Sequence, residues 1–225
     1  MRRPGTFVLA GALLFVLASA GCGGSSKSAN TTTSTAPKKN GCVVVTSPPA
    51  FGAHREKRPT APLPVNKVYD VTMVTNCGSF TIRIDQKQSP NAAASFVSLV
   101  QRGFYNNTIF HRIVPGFVIQ GGDPTGSGNG GPGYTTVDKP PAKAAYTHGV
   151  VAMAKTSSQP NGAAGSQFFI VTVPDAGLPP QYAIIGKVSS GLAVVDHIGT
   201  FGNSADPAGT PTQTVEVEQA SVKVS

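Results

Sequence analysis

Apolar and polar residues alternate at Tyr69, Val71 and Met73, and again at Phe80, Ile82 and Ile84. The Asn76-Cys77-Gly78-Ser79 stretch between them carries turn chemistry, so the pattern predicts a β-hairpin. The period then changes. Ser89 is a suitable N-cap, Pro90 suits the first helical position, Phe96, Leu99 and Val100 form a stripe at helical spacing, and Gly103 suits the position after the helix. The stretch Thr108 to Asp123 reads as strand, turn and strand around Pro115-Gly116. Strict alternation there puts Phe110 and Arg112 on one face, Phe117 and Ile119 on one face, and Val118 and Gln120 on the other. Further strands are predicted over 149–155, 166–173 and 182–188, and a short helix from Leu192 to Ile198 ending at Gly199. Val215, Val217, Val222 and Val224 mark a last strand whose phase slips near Gln219, as a bulge would cause. Many short strands with two helices imply a closed antiparallel barrel or a sandwich, and periodicity does not choose between them.

Composition agrees with a turn-rich β protein. Only 12% of residues are charged, while Gly numbers 26 and Pro 19, and the absence of Trp leaves the core to Val, Ile, Leu and Phe. The segment 123–134 is glycine-rich, and Gly126, Gly128 and Gly131 satisfy a G-x-G-x-x-G pattern. Pro132-Gly133 prevents the helix that a dinucleotide site needs, so the segment is read as a loop wrapped against the domain. The net charge of +8 comes from scattered residues with no basic stripe interleaved with aromatics, which argues against nucleic-acid binding. No Cys-x-x-Cys occurs, and His54, His111, His148 and His197 lack ligand spacing, so neither a metal nor another cofactor is expected.

The N-terminus suggests an address. Arg2-Arg3 precede an apolar run from Phe7 to Ala20 that is short for a bilayer span. Ser19-Ala20-Gly21-Cys22 resembles the lipobox of bacterial lipoproteins, with Ser19 in place of the usual Leu; an ordinary signal-peptide cleavage site is the alternative. The expected organisation is a signal peptide over 1–21, a lipid-bearing Cys22 with a flexible Ser/Thr/Pro-rich tether over 22–66, and a globular domain over 67–225. The chain is thus expected to be exported and anchored to the outer face of the cell membrane. Cys42 and Cys77 would lie in an oxidising compartment as a candidate disulfide, with two separate thiols as the alternative.

Two long motifs carry a family resemblance: Phe110-His111-Arg112-Ile113-Val114-Pro115-Gly116-Phe117-Val118-Ile119-Gln120-Gly121-Gly122-Asp123, and Gly165-Ser166-Gln167-Phe168-Phe169-Ile170. With Ile185-Gly186-Lys187-Val188 following, the sequence from about Val68 onward resembles a cyclophilin-type peptidyl-prolyl isomerase. The resemblance implies a closed eight-stranded antiparallel β-barrel capped by two α-helices. It implies catalysis by Arg112, with His111 supporting the site. Phe117, Val118, Phe169 and Leu178 would line a proline pocket, with Tyr182 beside it where many eukaryotic members have His. Gln120 would hold the substrate backbone, and Ala154, Lys155 and Gln167 would border the groove for residues preceding proline. Lys155 replaces a frequent Asn, the 156–164 loop is longer than usual, and Gly177 replaces a frequent Trp. The expected partners are unfolded or Pro-containing polypeptides, met by a monomer. The alternatives are a non-catalytic module that binds Pro-containing segments, or a chaperone-like holdase.

Overall fold

The computed structural model describes residues 37–50, 52 and 55–225. A short antiparallel pair, β1 (Lys38–Lys39) and β2 (Cys42–Val43), comes first. The predicted hairpin follows as β3 (Tyr69–Thr75) and β4 (Gly78–Ile84), and the predicted helix as α1 (Pro90–Gln101). Next come β5 (Thr108–Ile109), β6 (Arg112–Val114), β7 (Val118–Gly121), β8 (Thr136–Val137), β9 (Val150–Met153), β10 (Ala163–Ala164), β11 (Phe168–Val171) and β12 (Ile184–Ser190). The chain ends with α2 (Leu192–Gly199) and β13 (Glu216–Val224). The predicted slip in the last strand is present as a register shift between Val217 and Gln219.

Nine strands form one antiparallel sheet in the order β5-β13-β3-β4-β12-β9-β11-β7-β6. Its two edges, β5 and β6, are the two ends of one stretch, 108–114. β5 pairs with β13 and bridges from Ile109 to Asp123 just past β7, while β6 pairs with β7. The sheet therefore curls back on itself, and the expected eight strands are recovered by counting this broken stretch once.

The break lies at Phe110-His111 and corrects the simple alternation. Phe110 turns inward and is 1% exposed, its N–H donating to the Val215 carbonyl, whereas Arg112 pairs across to Gln120 on the other side of the sheet. Likewise Ile119 faces the interior, while Phe117 still belongs to the turn, where its N–H donates to the Val114 carbonyl. It joins the outer apolar group instead.

Two apolar clusters result. The interior holds Val71, Met73, Phe80, Phe96, Phe110, Ile113, Ile119 and Phe168, with Phe96 of α1 edge-on to Phe168 at 5.5 Å. The outer cluster holds Val118, Tyr146, Val150, Ala152, Phe169 and Ile184. Neighbours Phe168 and Phe169 split between the two because successive strand residues point to opposite faces. Ser89 occupies the N-cap position of α1 but its hydroxyl makes no capping bond. A distant carboxylate serves instead: the N–H of Ala92 and the amide of Asn91 donate to Asp138 at 2.6 and 2.8 Å. A negative group there also suits the helix dipole. Gly103 follows α1 with φ of 71°, the left-handed turn expected of it.

The segment expected to be tether up to residue 66 is, over its described part, fastened to the domain. Cys42 is buried and disulfide-bonded to Cys77. His197 meets the Asn40 carbonyl at 2.7 Å, the Glu56 N–H donates to the Pro132 carbonyl, Glu56 pairs with Arg102, and Leu63 packs on the interior cluster. The signal peptide, Cys22 and the residues up to 36 lie outside the described residues. Among the described residues no helix is long and apolar enough to cross a membrane.

Candidate active site

The sheet register builds the site. Arg112 of β6 stands opposite Gln120 of β7, Gln120 opposite Phe169 of β11, Phe169 opposite Ala152 of β9, and Ala152 opposite Ile184 of β12. Cross-strand partners lie about 5 Å apart. A cation, an amide and an aromatic ring therefore sit side by side on the outer face. Val118, opposite Val114 and Val171, supplies the next row.

Phe117, Val118, Phe169, Leu178, Tyr182 and Ala154 all belong to the outer apolar cluster. The structure thus brings the predicted pocket residues together. The Tyr182 ring stands edge-on to Phe169 at 5.3 Å. Tyr146, which sequence reasoning missed, completes this wall. It is fully buried, and its hydroxyl donates to the Tyr182 carbonyl and accepts from the Tyr182 N–H, both at 2.9 Å. That clamp fixes the turn carrying Leu178 and Tyr182. Gly177 sits in the same turn with open space where a side chain would project.

Arg112 is half-buried, and its stem packs against the 202–212 loop at Gly209. Among the described residues its guanidinium makes no salt bridge. A positioned fork of this kind can donate N–H groups toward the adjacent apolar cluster.

The polar side of the site is held by a relay. Gln120 donates to the Gln167 side-chain oxygen at 3.1 Å, and the Gln167 amide donates to the carbonyls of Gly128 and Gly130 at 2.8 and 3.0 Å. Those carbonyls belong to the glycine loop, which is organised by Asp123, a second residue sequence reasoning missed. Its carboxylate accepts from the Thr125 N–H and hydroxyl at 2.7 and 2.8 Å and from the Gly128 N–H at 2.5 Å. A Cβ at position 130 would lie 2.0 Å from the Asp123 oxygen, so only glycine passes there. Burial pushes the Asp123 carboxyl up, but the backbone N–H groups of Thr125, Gly130 and Gly128 together outweigh it and hold the group below 3.8.

His111 lies against Gly128, and neither ring nitrogen makes a hydrogen bond among the described residues. Burial lowers its pKa from 6.5, Asp123 opposes, and the neighbouring Arg112 charge lowers it further. Gln167 is close enough to favour a proton on the ring without the geometry of a bond. The neutral imidazole thus packs behind Arg112 and has no relay through which to move a proton. Ala154 donates its N–H to the Gln167 carbonyl at 2.8 Å, and Lys155 reaches the carbonyls of Thr156 and Gln159, both at 3.2 Å. Among the described residues no group of three His, Cys, Asp or Glu could hold a metal ion.

A curled antiparallel sheet with two helices, carrying an Arg-Gln-Phe row beside an outer apolar cluster, defines the class of fold. The family model for cyclophilin type peptidyl-prolyl cis-trans isomerase/CLD matches residues 70–222. Peptidyl-prolyl cis-trans isomerase-like 1 of Aspergillus oryzae is 37% identical over 157 residues, covering 68% of this chain and 94% of its own length. A peptidyl-prolyl cis-trans isomerase of Arabidopsis thaliana is 36% identical, covering 68% and 93%. A crystal structure of the Cryptosporidium parvum cyclophilin type peptidyl-prolyl cis-trans isomerase, in the presence of the dipeptide Ala-Pro, superposes with a TM-score of 0.62 at 33% identity, covering 68% of this chain and 98% of that one. The chain belongs to the cyclophilin-type peptidyl-prolyl cis-trans isomerase family.

Proposed function

We propose that this isomerase accelerates rotation of X-Pro bonds in exported polypeptides by stabilising only the twisted amide. The barrier to rotation is amide resonance, about 18–20 kcal/mol, and uncatalysed exchange takes about tens to hundreds of seconds. Twisting breaks the resonance and leaves a lone pair on a pyramidal prolyl nitrogen. With the proline ring among Phe117, Val118, Phe169 and Leu178, that nitrogen faces Arg112 across the Gln120 row. The guanidinium donates to the lone pair, which exists as an acceptor only when the amide is twisted. This is binding of the transition state in preference to either ground state. One preorganised donor of this kind contributes about 3–4 kcal/mol. Gln120, fixed by Gln167, holds the backbone beside the rotating bond. The apolar pocket excludes the water that would otherwise occupy the guanidinium.

The observation that carries this reading is the Arg112-Gln120-Phe169 row, which sets one unpaired cation beside an apolar ring pocket. The exported setting is supported by the leader pattern before Cys22 and by the Cys42–Cys77 bond, which suits an oxidising compartment. In this setting lipid on Cys22 holds the domain at the outer face of the membrane, within reach of emerging chains. The test is the cis-trans relaxation of a short X-Pro peptide in the presence of the full chain. The rate should rise in proportion to protein concentration, and relaxation at the uncatalysed rate contradicts the proposal.

A further inference from the structure

Beside the outer apolar cluster, Gln120, Ala154 and Gln167 line a hollow of about 740 Å³. Its walls are the glycine loop on one side and the 154–159 segment on the other, with Gly165-Ser166-Gln167 as the floor. Every lining side chain is uncharged except one, Lys155. The nearby carboxylate of Asp123 is fully buried and already accepts from Thr125 and Gly128, so it does not neutralise the hollow.

The Lys155 ammonium is fixed rather than free-swinging. It donates to the Thr156 and Gln159 carbonyls, and it lies 5.8 Å from the centre of the Tyr182 ring. An ammonium has three N–H donors, so two carbonyls leave one donor and the whole positive charge uncompensated. Among the described residues Lys155 makes no salt bridge. A half-buried cation held only by neutral groups attracts an anion, and the anchoring removes much of the side-chain entropy that weakens such pairs. Tyr182 also packs against the outer apolar cluster, so Lys155 stands at the border between that cluster and the hollow.

The direction of the substrate is the one the family resemblance implies, with Ala154, Lys155 and Gln167 bordering the groove for the residues preceding proline. With the proline ring at Phe169 and the rotating amide at Arg112 and Gln120, the acyl side of that amide belongs to the residue before proline. The chain continuing past Gln120 into the hollow is therefore the N-terminal side. The residue two before proline is the first whose side chain reaches Lys155.

We propose that Lys155 makes this site prefer X-Pro segments carrying Asp or Glu two residues before the proline. This rests on the isomerase reading above and names its substrate class. The pair is partly solvated, so the gain in kcat/KM for Glu over Gln is about fivefold at low salt, with a similar penalty for Lys. It fades at high ionic strength, where screening acts over a few ångströms.

The experiment uses the full chain and peptides with Glu, Gln or Lys two residues before proline, reading kcat/KM by exchange kinetics and Kd by titration, at low and high salt. The expected order is Glu over Gln over Lys, with the Glu-to-Gln ratio falling to about one in Lys155→Gln and kept in Lys155→Arg. A control peptide with Glu two residues after proline should show no gain. Equal kcat/KM and Kd for the three peptides overturn the preference while leaving the isomerase reading intact. A ratio unchanged in Lys155→Gln, with its circular dichroism native, also overturns it, as does a gain for the control peptide alone. Absence of turnover with every peptide contradicts the isomerase reading instead, and the Kd ratio then still decides the role of Lys155.

Discussion

At the residue scale, the site is a cation placed by a row of cross-strand neighbours and steadied from behind. Gln167 bonds Gln120 on one side and two loop carbonyls on the other. Gln167→Ala should lower kcat/KM about tenfold by freeing Gln120, and should lower the melting temperature by several degrees, because the hydrogen bonds lost contribute roughly 1 kcal/mol each to stability. The pH behaviour follows from two buried groups. His111 has its pKa lowered by burial first, so its folded form is favoured above 6.5 and its contribution to stability is lost as pH falls below that value. Asp123 is also held low, so its contribution is complete above 3.8 and is lost as pH falls through the depressed value. The His111 contribution to the melting temperature should therefore fall away as pH drops below 6.5, and the Asp123 contribution only as pH drops below 3.8, as thermal melts across pH will read. Arg112, Phe117, Gln120 and Phe169 were legible because they sit inside long motifs. Tyr146 was not, since it acts on the backbone of Tyr182, which only the fold brings near; Asp123 ends the first motif and acts on Thr125 and Gly128 close by in sequence, but a motif does not say that its carboxylate turns back to hold the loop.

At the element scale, the alternating segments were legible because burial of one face imposes period two. The hairpin and the slip in the last strand followed from that pattern, and α1 from the change to helical spacing. The break at Phe110-His111 did not. It arises because one short stretch must pair with β13 at one end and β7 at the other, a demand set by closure of the sheet. Ser89 is the N-cap residue of α1 as expected, but its hydroxyl makes no capping bond; the carboxylate that serves the first turn, Asp138, is remote in sequence and reaches Ala92 only once β8 is in place. The Cys42–Cys77 bond closes a loop with a separation of 35 residues, for which chain entropy gives about 3–4 kcal/mol. Cys42→Ser should lower the melting temperature by roughly 10 °C, and reductant should do the same to the wild type but not to the variant.

At the scale of the whole molecule, a barrel of modest size carries its chemistry on the outside. The interior cluster makes the fold stable, and the outer cluster is the surface that the proposed function covers with a Pro-containing peptide. The segment ahead of β3 is fastened at Cys42, Glu56 and Leu63, so over its described part it belongs to the folded domain. Sequence composition suggested a longer free tether because Pro-rich, irregular chain reads the same whether or not it is bound. If Cys22 bears lipid, Cys22→Ala should move the protein from the membrane fraction to the soluble fraction; membrane association unchanged by the substitution would rule lipid out as its cause.

The account rests above all on Arg112 acting on the twisted amide and on nothing else in the site moving a proton. The direct measurement is kcat/KM for a short X-Pro peptide with the wild type and Arg112→Ala, with native circular dichroism and peptide Kd measured alongside. The account predicts a fall of about 10²–10³ in kcat/KM, the cost of removing one transition-state donor, with a much smaller change in Kd. An Arg112→Ala protein that isomerises the peptide as fast as the wild type would contradict it.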